Sequence, residues 1–139
     1  MERFPVKLKE CRKRAGLSQE ELASRIGVTQ RSLTDYECGR AVPRRRRIER
    51  MADILGVTTL YLINDSIEDP SFGENAEKQI RSAELTYGEE TSMEMSELIE
   101  RNTAFFAGGD IPQEDKDRFF EALMMAYVAC KKEAGRRAQ

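Results

Sequence analysis

Leu17-Ser18-Gln19-Glu20-Glu21-Leu22-Ala23-Ser24-Arg25-Ile26-Gly27-Val28-Thr29-Gln30-Arg31-Ser32-Leu33-Thr34-Asp35-Tyr36 is the stretch on which the fold turns. Ser18 followed by Glu21 makes an S-x-x-E pattern, in which the hydroxyl caps a free backbone N–H and the carboxylate reaches back to the cap. A helix is therefore predicted from about Gln19 to Ile26. Gly27 ends it, Val28 packs inward, and Thr29 caps a following helix through about Tyr36, with Leu33 and Tyr36 on its inner face. Two short helices around so tight a turn form a helix-turn-helix pattern.

Working outward, Val6, Leu8, Cys11 and Ala15 recur at helical spacing before a stop at Gly16. Gly39 closes the helix through Tyr36, and Pro43 sits where a fourth helix can start, because its missing N–H is not needed in a first turn. That helix runs to Leu55 on an inward stripe of Ile48, Met51, Ala52 and Leu55. Gly56 stops it, and Thr58 to Ile63 forms a short fifth helix. The polar, turn-rich run from Asn64 to Gly73 reads as a linker. Beyond it, helices are predicted over 76–85, 92–106 and 113–133. Ala107-Gly108-Gly109-Asp110 turns the chain back, which makes the last two an antiparallel αα-hairpin. Residues 1–66 and 76–139 are thus expected as two domains joined by 67–75.

Composition removes many functions. The chain has 139 residues and no histidine, so Ser-His triads, His general bases and the commonest metal ligand are all missing. Cys11, Cys38 and Cys130 are odd in number and widely spaced, which fits reduced thiols better than a disulfide framework or a zinc knuckle. The longest apolar run, Ala122 to Cys130, is nine residues, where a membrane span needs about 20. A cytoplasmic protein is expected. The net charge of −2 hides an asymmetry: residues 1–63 hold 14 Lys/Arg against 8 Asp/Glu, and 64–139 hold 9 against 17. A half at +6 seeks a polyanion and a half at −8 avoids one.

Residues 5–63 resemble the helix-turn-helix domain of phage repressors, Cro and the Xre-type regulators. The resemblance rests on Leu17-Ser18-Gln19-Glu20-Glu21-Leu22-Ala23, on Ile26-Gly27-Val28-Thr29, and on Leu33, Tyr36, Glu37, Gly39 and Pro43 at the family spacing. The carboxy-terminal part, with Phe105-Phe106-Ala107-Gly108-Gly109 and Asp115-Lys116-Asp117, is more loosely similar to an extension found on many Xre-type regulators. The implied fold is all-α: a five-helix phage-repressor-like DNA-binding domain followed by a small helical dimerisation domain.

The resemblance also implies roles. The leading turn of the third helix enters the major groove, where Gln30 and Arg31 read base edges, Gln on adenine and Arg on guanine. Asp35 departs from the glutamine often found there; it either accepts from cytosine N4 or holds Arg31 through an i, i+4 pair. Gln19, Thr29, Ser32, Arg40, Arg44 and Arg45 are the expected phosphate contacts. Arg12 and Glu37 match positions that form a partly buried ion pair in the family. The run Arg44 to Arg47 puts four cations at the wrong end of a helix dipole, a cost that an adjacent phosphate backbone would reverse.

In the second half, Asp110 to Glu121 has the acidic spacing of a calcium loop without its glycine. Met93, Met95, Met124 and Met125 read as adaptable core. No phosphate loop, metal cluster or nucleophile motif is seen, so no enzyme, cofactor or metal is expected. Phe119, Phe120, Leu123, Met124 and Tyr127 lie on a wide apolar face of the last helix, too wide for a three-helix layer to cover, and are the expected dimer interface. The function that follows is a homodimeric regulator, a repressor, on a palindromic double-stranded DNA operator. The runner-up is an antitoxin-like or immunity-region protein whose carboxy-terminal helices bind a partner protein and which autoregulates its own promoter.

Overall fold

The computed structural model describes residues 1–107 and 112–138. Among them are eight helices and no strand: α1 (Phe4–Arg14), α2 (Gln19–Ile26), α3 (Gln30–Cys38), α4 (Arg45–Leu55), α5 (Thr59–Ile63), α6 (Glu74–Tyr87), α7 (Glu89–Ala107) and α8 (Gln113–Ala138). The chain divides into two compact units, Met1–Ser71 and Phe72–Gln139. The expected turn through Gly108 and Asp110 lies outside the described residues.

The first unit is the five-helix domain. Pro5 in the opening turn of α1 lets the helix start two residues before Val6. The inward stripe is therefore Phe4, Leu8 and Cys11, and Val6 points to solvent. Ser18 and Glu21 close the capping box on α2, with Glu21 N–H 3.0 Å from Ser18 Oγ. At Gly27 the chain takes φ +77°, a left-handed conformation that a side chain resists, and Val28 N–H returns to the carbonyl of Ala23. Leu22, Ala23, Ile26, Leu33, Ile48, Met51, Ala52 and Leu62 complete the core. Ala23 is small where α2 and α3 pack together.

Pro43 does not open the fourth helix. Arg44 is the N-cap, extended at ψ 157° and without a side-chain cap, and α4 begins at Arg45. Pro43 is buried one residue outside the cap.

The segment read as a linker is packed rather than free, and the division between units falls inside it. Lys7 is 1% exposed, and its ammonium donates to the carbonyls of Tyr61 (2.7 Å), Asn64 (2.9 Å) and Ile67 (2.8 Å). It also lies 4.3 Å from the Tyr61 ring centre. All three N–H bonds are used to stop α5 and to fold the following residues back. Burial pulls the Lys7 pKa below that of an ordinary lysine. Asp65 accepts the N–H groups of Glu2 (3.0 Å) and Arg3 (2.9 Å) at the start of α1, which holds its carboxyl below the usual range. Thr58 N–H reaches the carbonyl of Pro70 at 2.9 Å.

In the second unit α6 packs against both α7 and α8. Ala76 and Ala83 on α6 are buried with Met95, Ile99, Phe120 and Met124, and Phe72 meets Phe120 edge to face at 5.5 Å. Only Gly88 separates α6 from α7, at φ +98°, ψ 176°. The methionine group divides: Met95 and Met124 are core, whereas Met93 and Met125 are exposed because they lie on the outer sides of their helices.

Lys7→Met keeps the stem and removes the three donors, leaving three carbonyls without their partner. The substitution should destabilise the chain by about 2–4 kcal/mol, read as a lower urea midpoint.

Candidate nucleic-acid interface

The exposed leading turn of α3 is built by local chemistry. Thr29, extended at ψ 156°, accepts Ser32 N–H on its hydroxyl at 3.1 Å, and its Oγ1 lies 3.0 Å from Ser32 Oγ. The cap leaves Gln30 and Arg31 as the first helical residues, and both are exposed. Leu33 and Tyr36 are buried behind them and anchor the helix to the core.

What aims α3 is a partner far away in sequence. Arg12 on α1 donates from Nε to Glu37 Oε2 (3.0 Å) and from Nη2 to Glu37 Oε1 (3.1 Å), while Nη1 donates to the carbonyl of Leu17 (2.9 Å). The two side chains are 10% and 2% exposed, so this is a bidentate pair largely out of water. One guanidinium thereby holds α1, the turn before α2 and the carboxy-terminal end of α3.

Asp35 is not engaged with Arg31. Gly39 takes φ +76°, Arg40 N–H returns to the carbonyl of Asp35 at 2.9 Å, and Arg40 Nη1 approaches the Asp35 carboxylate at 3.7 Å. The bend at Gly39 thus offers Asp35 a cation beyond the helix end, and that pairing replaces the i, i+4 alternative.

The arginine run is not a uniform face. Arg45 and Arg46 both reach Glu49, at 3.4 and 3.2 Å, and Arg47 donates to the Tyr36 hydroxyl at 2.8 Å. Glu49 therefore offsets part of the charge crowded at the amino terminus of α4. Arg47 ties α4 to α3. Arg44, ahead of the helix, is exposed. A groove of about 510 Å³ opens beside Gly27, walled by Arg44, Arg46, Arg47 and Arg50 with Glu49 and Asp53.

Gln19, the first residue of α2, is half-buried, and its Oε1 lies 3.2 Å from Thr34 Oγ1 on α3. Sequence reasoning gave Thr34 no role, nor did it find the Tyr36–Arg47 bond. Both depend on which side of α3 faces another helix. The helical phase set by Leu33 and Tyr36 was the available signal, since it turns position 34 away from the core centre toward α2.

On α8 the expected interface residues separate. Phe120 and Met124 are fully buried in the second unit's own core, because α6 and Phe72 cover them. Phe119 is 37% exposed, and Leu123 and Tyr127 are half-buried. The Tyr127 hydroxyl donates to Glu94, which Lys131 also approaches at 3.3 Å. Among the described residues no group of His, Cys, Asp and Glu could hold a metal ion, and no helix is long and apolar enough to cross a membrane.

A family model described as a helix-turn-helix domain matches residues 4–60. The chain belongs to the Xre-like helix-turn-helix transcriptional regulators, a family of DNA-binding proteins. It is 31% identical over 81 residues to the uncharacterized HTH-type transcriptional regulator YqaE of Bacillus subtilis, covering 58% of this chain and 70% of that one. It is 32% identical over 81 residues to the cryptic phage CTXphi transcriptional repressor RstR of Vibrio cholerae, covering 58% and 71%. A third relative, the SPbeta prophage-derived uncharacterized regulator YonR of Bacillus subtilis, is 37% identical over 60 residues, 43% of this chain and 56% of its own. No solved structure matches the chain.

Removing one member of a buried pair strands the other. Glu37→Ala should cost about 3–5 kcal/mol in urea unfolding, and Arg12→Met combined with Glu37→Leu should cost less than the sum of the two single changes.

Proposed function

We propose that this chain is a repressor that binds a palindromic operator as a homodimer, reading the major groove with the leading turn of α3. The observation that carries the reading is the exposure of Gln30 and Arg31 directly after the Thr29 cap. Gln pairs with adenine N6/N7 and Arg with guanine O6/N7. Asp35, half-buried and drawn to Arg40, contributes a cytosine N4 acceptor at the groove edge.

Gln19, Ser32, Thr29, Arg40, Arg44 and Arg45 fix the register through phosphates. The Thr29 oxygen accepts the cap bond and its proton is directed at Ser32 Oγ, so the hydroxyl proton left for a phosphate is that of Ser32. Arg44 is the best-placed cation of the run, because Arg45 shares Glu49 with Arg46 and Arg47 is committed to Tyr36. A relative that is named a phage transcriptional repressor supports repression, and occlusion of polymerase is its simplest mechanism.

One such head touches only half a site, so specific affinity needs two heads roughly 34 Å apart. The second unit supplies the pairing. With Phe120 and Met124 committed to its core, the surface offered for pairing on α8 is Phe119, Leu123 and Tyr127.

Gln30→Ala or Arg31→Ala should each cost about 1–3 kcal/mol on the operator and leave binding to random DNA nearly intact. Equal losses on both DNAs would refute base reading. Replacing Arg44 and Arg45 together should weaken binding to all DNA and lower the slope of log K against log salt by about 1–2. An unchanged slope would make the run a solvated face. Sedimentation should show residues 1–139 as a dimer and 1–71 as a folded monomer with operator affinity lower by orders of magnitude; a monomeric full chain would remove the dimer from the reading.

A further inference from the structure

Thr34 stands at a junction. Its hydroxyl lies 2.9 Å from the backbone carbonyl of Gln30 and 3.2 Å from the side-chain oxygen of Gln19. Gln30 opens α3 and Gln19 opens α2, so one Oγ1 atom touches the first residue of each helix of the motif. A hydroxyl carries a single proton, which these two acceptors share in a three-centre bond. The carbonyl contact is the ordinary bond of a helical threonine to the turn before it. The contact to Gln19 is not local, since the two residues are 15 apart in sequence.

We propose that Thr34 is a positioning residue for DNA binding: it holds the Gln19 carboxamide in the orientation that meets a phosphate. The inference rests on the reading of the chain as a DNA-binding regulator with Gln19 at the backbone. In a planar carboxamide the oxygen and the nitrogen lie on opposite branches of one carbon. Anchoring Oε1 on Thr34 turns the NH2 end, with both of its donors, away from α3. The Ser18 hydroxyl is already engaged by Glu21 N–H, which leaves the backbone N–H groups of Gln19 and Glu20, the first two of α2, beside that amide without a side-chain cap. An anionic oxygen is the group such donors take. A free glutamine would freeze its side-chain torsions when it binds, and one already held by Thr34 has lost that freedom beforehand.

The probe is a duplex enriched from a random pool of double-stranded DNA by the full-length wild-type chain. Thr34→Val removes the hydroxyl at nearly constant shape and should weaken binding to that duplex about three- to ten-fold. Gln19→Ala should weaken it at least as much, since the carboxamide itself is gone, and the double variant should lose no more than Gln19→Ala alone, because Thr34 then has nothing left to hold. Thr34→Ser should bind within about two-fold of wild type, since the hydroxyl returns. Thr34→Ala gives a second route to the same cycle if the valine variant folds poorly. Losses at 34 and 19 that multiply, or a Thr34→Val protein that binds like wild type, would overturn the proposal while DNA binding stands. A wild-type chain that enriches no duplex would overturn DNA recognition itself, and the role of Thr34 with it.

Discussion

The guanidinium of Arg12 is the contact on which the DNA-binding unit depends. Helices of eight to eleven residues, as α1 to α4 are, hold neither their form nor their mutual angles alone, and a short apolar stripe still permits one to roll on another. A bidentate bond to Glu37 and a third bond to the Leu17 carbonyl remove that freedom, because a planar fork accepts its partners only in one arrangement. Withdrawing the pair from water makes any loosening expensive. The direction in which Gln30 and Arg31 point is therefore set from the opposite end of α3, where Glu37 sits.

A second constraint works through carbonyls. Lys7 gathers the end of α5 and the turn after it, and Asp65 returns to the start of α1, so the first and last parts of the unit close on one another. An ammonium with three fixed acceptors is one way to bury a charge without an acidic partner. It also explains why a run as polar as Asn64 to Pro70 belongs to the domain it follows.

The cations divide between scaffold and surface. Arg12 and Arg47 are spent on α3, Arg45 and Arg46 are drawn to Glu49, and Arg40 to Asp35. The charge of +6 over residues 1–63 thus overstates what a polyanion meets, and the position of each arginine matters more than the sum. The second unit, Phe72–Gln139, holds 9 Lys/Arg against 14 Asp/Glu, so the excess of cations lies in the first unit, which carries the helix-turn-helix.

The sequence by itself determined the elements whose chemistry is local. The Ser18–Glu21 box, the Thr29 cap and the left-handed glycines at 27, 39 and 56 act within one turn of chain, so their signals survive without a fold. From these the helix-turn-helix and the exposed Gln30 and Arg31 were legible. Tertiary structure alone decided that Lys7 is buried, that Thr34 meets Gln19, and that Phe120 and Met124 are interior while Phe119 and Met125 are not. Each of these depends on the rotation of one helix against another. Lys7 and Ile67 are 60 residues apart, and an apolar or charged side chain carries no local mark of which distant partner will cover it.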